Sequence, residues 1–154
     1  MLNVTEQSSA ISTTMRQEYE ARTGSLADND SLAVVNAPLQ LATTSIAGEV
    51  CNGVLNREVP LTAAQRKFFV QVDFSRNLAG NTTAAYSSAV DAMAEAFWGR
   101  SVNDEERLAM NEFYNDFAGS YGLLGSAQDQ VRVTRKLYLS ACAAMLSSFD
   151  AFIN

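Results

Sequence analysis

Apolar residues along most of this chain recur at i, i+3, i+4 and i+7 rather than at every second position, which is the spacing of helices with one buried face. The spacing predicts a first helix from about Thr5 to Arg22, with Ile11, Met15 and Tyr19 inward and Thr23-Gly24 as its stop. A short second segment, capped by Asp28 or Asp30, runs through Val35. Pro38 then stands where a first-turn proline fits, and Leu39, Ala42, Thr43, Ile46, Ala47, Val50 and Val54 line one face, with Cys51 and Leu55 on the adjoining side. This helix stops before Pro60, because the residue preceding a proline is pushed out of helical geometry.

Thr62-Ala63-Ala64-Gln65 has the form of a capping box and predicts another helix carrying Phe68, Phe69, Val72 and Phe74. The run from Phe69 to Phe74 also alternates, so a strand is the local alternative. Helix is favoured because no other segment offers a strand to pair with. Beyond a loop at Asn77–Gly80, Tyr86, Ala89, Val90, Met93 and Phe97 share a face that ends at Gly99. Ser101 or Asn103 caps the next helix, whose first turn holds Asp104, Glu105 and Glu106 at the positive end of the helix dipole. Its buried side is read as Leu108, Met110, Phe113, Tyr114 and Phe117. From about Ala127 to Ser148 the apolar residues cover most of the circumference, which predicts a central helix packed on the 39–55 and 83–97 helices. The expectation is an all-α fold: one domain spanning 1–154, a compact bundle of about six helices with the C-terminal helix at its centre.

Charge and composition narrow the function more than the fold. Hydrophobic residues make up 47% of the chain and charged residues 18%, and polar coverage comes mainly from Ser, Thr, Asn and Gln. Lysine occurs only at Lys67 and Lys136. That bias suits an extracytoplasmic or cell-surface protein. The net charge of −6 repels nucleic acid unless the few arginines gather on one face, so no nucleic-acid partner is expected. No stretch is long and apolar enough to span a bilayer, and the first twenty residues lack the pattern of a secretory signal.

There is no histidine, which removes Ser-His-Asp and Cys-His catalysis, His-containing zinc sites and C-x-x-C-H haem attachment. Glycine-rich phosphate cradles are missing too. Asp28-Asn29-Asp30 resembles the opening of a calcium loop, but the glycine such a loop needs is Ala33 and its final glutamate is Leu39. Asp104, Glu105 and Glu106 are explained by the helix dipole, so no catalytic, cofactor-binding or metal-ligating residue is assigned. An enzyme here would have to work with Asp, Glu, Tyr, Ser or Arg alone. Cys51 and Cys142 are the only thiols, either reduced core residues or the two ends of a disulfide. Asn3, Asn29 and Asn81 open N-x-[ST] sequons, of consequence in a eukaryotic secretory setting. Phe97 and Trp98 are candidates for a partner contact on the condition that both are exposed.

The run Phe97-Trp98-Gly99-Arg100-Ser101-Val102-Asn103-Asp104-Glu105-Glu106, followed by a helix and by Ser140 to Phe152, resembles the helical modules of large bacterial exported proteins. These are related to planctomycete-type cytochrome-associated families of unknown function. In them an aromatic-x-Arg element precedes a helix start bearing two glutamates, and the closing helix ends in a Leu-x-Ser-x-x-Phe element. The resemblance covers about a third of the chain. It implies a packing module within an exported or cell-surface assembly and brings no haem motif and no catalytic residue. The expected function is a non-enzymatic helical structural or protein-interaction domain, secreted or on the cell surface, without cofactor, whose partner is another protein or a second copy. The rival expectation is a virion or tail-connector subunit acting as an oligomer.

Overall fold

The computed structural model describes Thr13, Arg16, Gln17, Glu20, Ala21, residues 37–121 and residues 127–148. The first five are helical and exposed. Most of the expected 5–22 helix, the 28–35 segment with its Asp28-Asn29-Asp30 turn, the sequons at Asn3 and Asn29, and Phe149 and Phe152 lie outside the described residues. Within them the fold is all-α, with four helices: α1 (Ala37–Glu58), α2 (Thr83–Phe97), α3 (Asp104–Tyr121) and α4 (Ala127–Leu146). Two short 3-10 turns, Ala63–Gln65 and Leu78–Gly80, punctuate the connection between α1 and α2. The bundle of about six helices is therefore corrected among the described residues, chiefly because the segment after Thr62 is not a helix.

The start of α2 is set by the Thr82 hydroxyl, which accepts from the Ala85 N–H at 3.2 Å, and its end by Gly99 at φ +65, a left-handed position that glycine takes without a Cβ penalty. Ala85, Ala89 and Ala94 are buried beside Tyr86, Val90 and Met93. Before α3, the Asn103 side chain accepts from the Glu106 N–H and the Glu106 carboxylate accepts from the Asn103 N–H, both at 2.9 Å. This reciprocal cap is further held by Arg100, which pairs with Glu106 at 2.5 Å.

Two predicted faces are corrected. In α1 the buried residues are Ala42, Ala47, Cys51, Leu55 and Glu58: Ala42 and Ala47 of the predicted stripe are buried, but beyond them the buried line runs through the adjoining Cys51 and Leu55, since Ile46, Val50 and Val54 are only half-buried. No residue of α3 is fully buried. Met110, Phe113, Tyr114 and Phe117 are half-buried, whereas Leu108 is 61% exposed. Two residues along a helix turn the side chain through about 200°, so Leu108 and Met110 cannot share a face.

α4 touches α1, α2, α3 and the Leu78–Gly80 turn. It buries Thr134, Leu137, Tyr138, Ala141, Cys142 and Met145. Its apolar cover is not complete, however: Asp129, Arg132, Lys136, Ser140 and Ala144 form an exposed stripe along the helix. The aromatic centre of the core joins Phe69 and Phe74 to Tyr138 at ring separations of 5.6 and 5.8 Å, and Tyr86 to Tyr138 and Tyr114 at 5.9 and 5.0 Å.

The hydroxyls of Tyr86 and Tyr138 are buried and meet no hydrogen-bond partner among the described residues. Burial first, then the neighbouring tyrosines, raises both phenols above their ordinary value near 10. An acid whose folded value is raised favours the fold while neutral, so this contribution is present below the unfolded value and is lost as pH rises above about 10. Alkaline titration followed by circular dichroism is expected to show unfolding beginning in that range. In the Tyr86→Phe/Tyr138→Phe protein the transition moves to higher pH, and at neutral pH each substitution stabilises by about 1 kcal/mol by removing an orphan donor.

Candidate functional site

The end of the molecule where α1 stops is built from a buried carboxylate. Glu58, the last residue of α1, is 5% exposed, although a negative charge at a helix C-terminus opposes the dipole. It is held by three successive backbone N–H groups: Lys67 donates to Oε1 at 3.1 Å, Phe68 to Oε1 and Oε2 at 3.2 and 3.1 Å, and Phe69 to Oε2 at 3.1 Å. Successive amides converging on one anion make a nest.

Arg66 braces the same connection with the opposite charge. Its guanidinium donates to the carbonyls of Glu58 and Leu61, both at 3.0 Å, Val59 at 3.2 Å, Phe69 at 3.4 Å, and Val72. It also lies 5.3 Å from the centre of the Phe74 ring. The helix predicted from Thr62 ends after one 3-10 turn for this reason. Gln65 does accept from the Thr62 N–H and hydroxyl at 3.2 and 2.9 Å, but Arg66 is extended at ψ 147, and the next three N–H groups go to Glu58 instead of to helix carbonyls. The strand alternative is not realised either: Phe69, Val72 and Phe74 are buried while Val70 and Gln71 are both exposed, which breaks the alternation.

Further along, Asn81 is 6% exposed; it accepts from the Asp73 N–H at 2.8 Å and donates to the carbonyls of Asp73 and Asn77 at 3.0 and 3.1 Å. Its amide is committed to the loop. In a eukaryotic secretory host the folded chain is expected to carry no glycan at this sequon, and peptide mapping by mass spectrometry checks that. The Asp73 carboxyl is held below its ordinary range by the Ser75 hydroxyl and N–H, which donate at 2.6 and 2.9 Å, and by Arg76 at 3.0 Å. That contribution to loop order is present above the ordinary carboxylate range and lost as pH falls through the lowered value.

A shallow groove of about 300 Å³ runs over this connection, lined by Leu61, Thr62, Arg66, Val70 and Gln71 among others. Its one guanidinium is spent on backbone carbonyls and its one carboxylate on Ser75 and Arg76, so the groove presents shape rather than acid–base chemistry. No three His, Cys, Asp or Glu side chains converge on a metal-sized space among the described residues, and no helix there is long and apolar enough to cross a membrane.

The sulfurs of Cys51 and Cys142 lie 2.07 Å apart, at disulfide distance, and both residues are buried. With Arg135 donating to Asn56, this contact sets α1 and α4 antiparallel, bringing the C-terminus of α1 beside the N-terminal half of α4. Arg57, Arg66, Lys67, Arg76, Arg132, Arg135 and Lys136, seven of the chain's eleven cations, thereby gather in residues 56–82 and 127–137, against only Glu58, Asp73 and Asp129. Arg57, Arg132 and Lys136 are exposed and pair with no carboxylate among the described residues, while Arg76, Arg100 and Arg107 are paired with Asp73, Glu106 and Asp91.

The aromatic pair singled out from sequence fails its own condition. Trp98 is 5% exposed, and its indole N–H donates to the Met145 carbonyl at 3.1 Å and the Ser148 hydroxyl at 2.9 Å, so it closes the opposite end of the core. Phe97 is half-buried, 5.9 Å from the Phe68 ring. Sequence reasoning also passed over Glu58 and Arg66. The available signal was an acid at the very end of a helix, where the dipole disfavours it unless something else holds it. No protein-family model, curated protein or solved structure matches this chain.

Proposed function

We propose that this chain is a non-enzymatic helical interaction domain of an exported or cell-surface bacterial protein, which works by presenting a rigid surface to another protein. The observation that carries the reading is the Cys51–Cys142 contact between α1 and α4 at disulfide distance, a bond that persists in oxidising compartments and is rare in reducing ones. The Glu58 and Arg66 braces support it, since long ordered connections without regular structure commonly carry function, and this one presents shape without reactive groups. The test is the intact mass of the protein taken from its natural compartment with free thiols blocked before lysis. A chain two hydrogens lighter than the sequence, with neither cysteine labelled, supports the reading. Two labelled cysteines overturn it in favour of a subunit assembled in a reducing environment.

A further inference from the structure

Two helices leave a stripe open to solvent, and the stripes are opposite in charge and alike in spacing. On α4 it is Arg132, Lys136, Ser140 and Ala144, spaced by four residues, or about 6 Å per step. On α3 it is Asp116, Glu112 and Leu108, spaced the same way, continued by Glu105. The bases pair with no carboxylate among the described residues, and Leu108 is 61% exposed. α3 and α4 touch each other and are separated by only five residues in sequence.

From this placement we infer that the partner surface recognised by α3 and α4 is a second copy of the same chain, related by a two-fold axis parallel to the helices so that α3 of each copy lies antiparallel on α4 of the other. The inference rests on the interaction-domain reading and names its partner. In that arrangement Asp116 faces Arg132, Glu112 faces Lys136, and Leu108 meets the small side chains of Ser140 and Ala144. Each contact occurs twice, as an isologous interface requires. Two helices running antiparallel around a two-fold axis parallel to them complete a four-helix layer, which is the ordinary way for amphipathic helices to close an open face. An external polyanion is the less favoured occupant, because Asp129 begins the same α4 stripe and the chain as a whole carries −6.

Light scattering and sedimentation of the full chain across a range of salt concentrations test this. The expected result is a species of twice the chain mass at low salt that dissociates as salt is raised. Arg132→Glu/Lys136→Glu is expected to weaken the dimer by about tenfold or more, and Glu112→Lys/Asp116→Lys by a similar factor, since each puts like charges in contact. Mixing the two variants is expected to restore a heterodimer, because both copies of the contact regain opposite charges. All four positions are exposed, and circular dichroism verifies that each variant is folded. A wild-type chain that stays monomeric at low salt overturns the inference, as does a dimer indifferent to both charge reversals or variants that fail to pair on mixing. A monomer that instead binds heparin through Arg132 and Lys136 overturns it in favour of a polyanion. None of these outcomes touches the thiol state, so the inference can fail while the interaction-domain reading stands.

Discussion

Replacing Glu58 with alanine is expected to destabilise the protein by about 3 kcal/mol, the upper part of the range for losing hydrogen bonds to a charged acceptor. The cost does not come from lost apolar burial. It comes from the N–H groups of Lys67, Phe68 and Phe69, which lose their shared acceptor at once and have no helix carbonyls in reach, because the connection they sit on is not a helix. An unsatisfied buried donor costs about 1 to 3 kcal/mol, and water entering the vacated space recovers part of it. Glu58→Gln keeps the shape but turns an NH2 group toward at least one of the donors, so an intermediate loss is expected. Urea denaturation gives both values, and hydrogen exchange locates them: protection of the three amides should fall in Glu58→Ala before that of α2 and α4. A variant with wild-type stability and wild-type protection at these amides would mean that the packing of Phe69 and Phe74 alone holds the connection.

The same residues show why part of this fold was legible in the sequence and part was not. α2 could be read because its signals are local: a threonine cap, apolar positions at helical spacing and a glycine stop all lie within the segment they define. The stretch after Thr62 carries equally good local signals, and they mislead, because the acceptor that diverts its amides sits at position 58 on another element. Propensity loses there to a charged tertiary partner. The second half of the α1 face was misplaced by one residue, Cys51 and Leu55 being buried in place of Val50 and Val54, because alanines, a threonine and β-branched residues leave the stripe weakly defined and the contact with Cys142 settles it. The exposed stripe of α4 was hidden in a different way. Ser140 and Ala144 are compatible with either side of a helix, and Val133 and Leu139 beside them make the segment look apolar throughout, although both are only half-buried.

Charge followed the same division. A net value of −6 predicts the long-range behaviour of the chain, but not the gathering of seven cations at one end, because that depends on the antiparallel register of α1 and α4. Of these cations Arg66 turns inward onto backbone carbonyls, while Arg57, Lys67, Arg76, Arg132 and Lys136 are exposed. Arg132 and Lys136 stand on a helix that touches the acidic α3 of the same chain, and the inferred self-pairing follows from that neighbourhood rather than from either charge count.

Substituting both cysteines with alanine is expected to have the largest effect of any change outside the connection, about 4 to 5 kcal/mol at 25 °C in the chain-entropy description of a crosslink that closes a loop of some ninety residues. That is a large share of the 5 to 15 kcal/mol by which domains are typically stable. The double variant should therefore unfold at a markedly lower urea concentration, and with a steeper slope, because an uncrosslinked chain exposes more surface when it unfolds. The route to reduction follows from burial. Cys51 is 0% exposed and Cys142 1%, so neither a small thiol nor a redox enzyme reaches the sulfurs in the folded chain. Under native conditions the sulfurs are reached only through opening, so reduction by dithiothreitol should be slower than in denaturant by the fraction of molecules that are open, and should level off at the unfolding rate where reduction outpaces refolding. Reduction of the native protein faster than its global unfolding allows would show that α1 and α4 separate locally at that seam, and would make the contact a switch rather than a clamp.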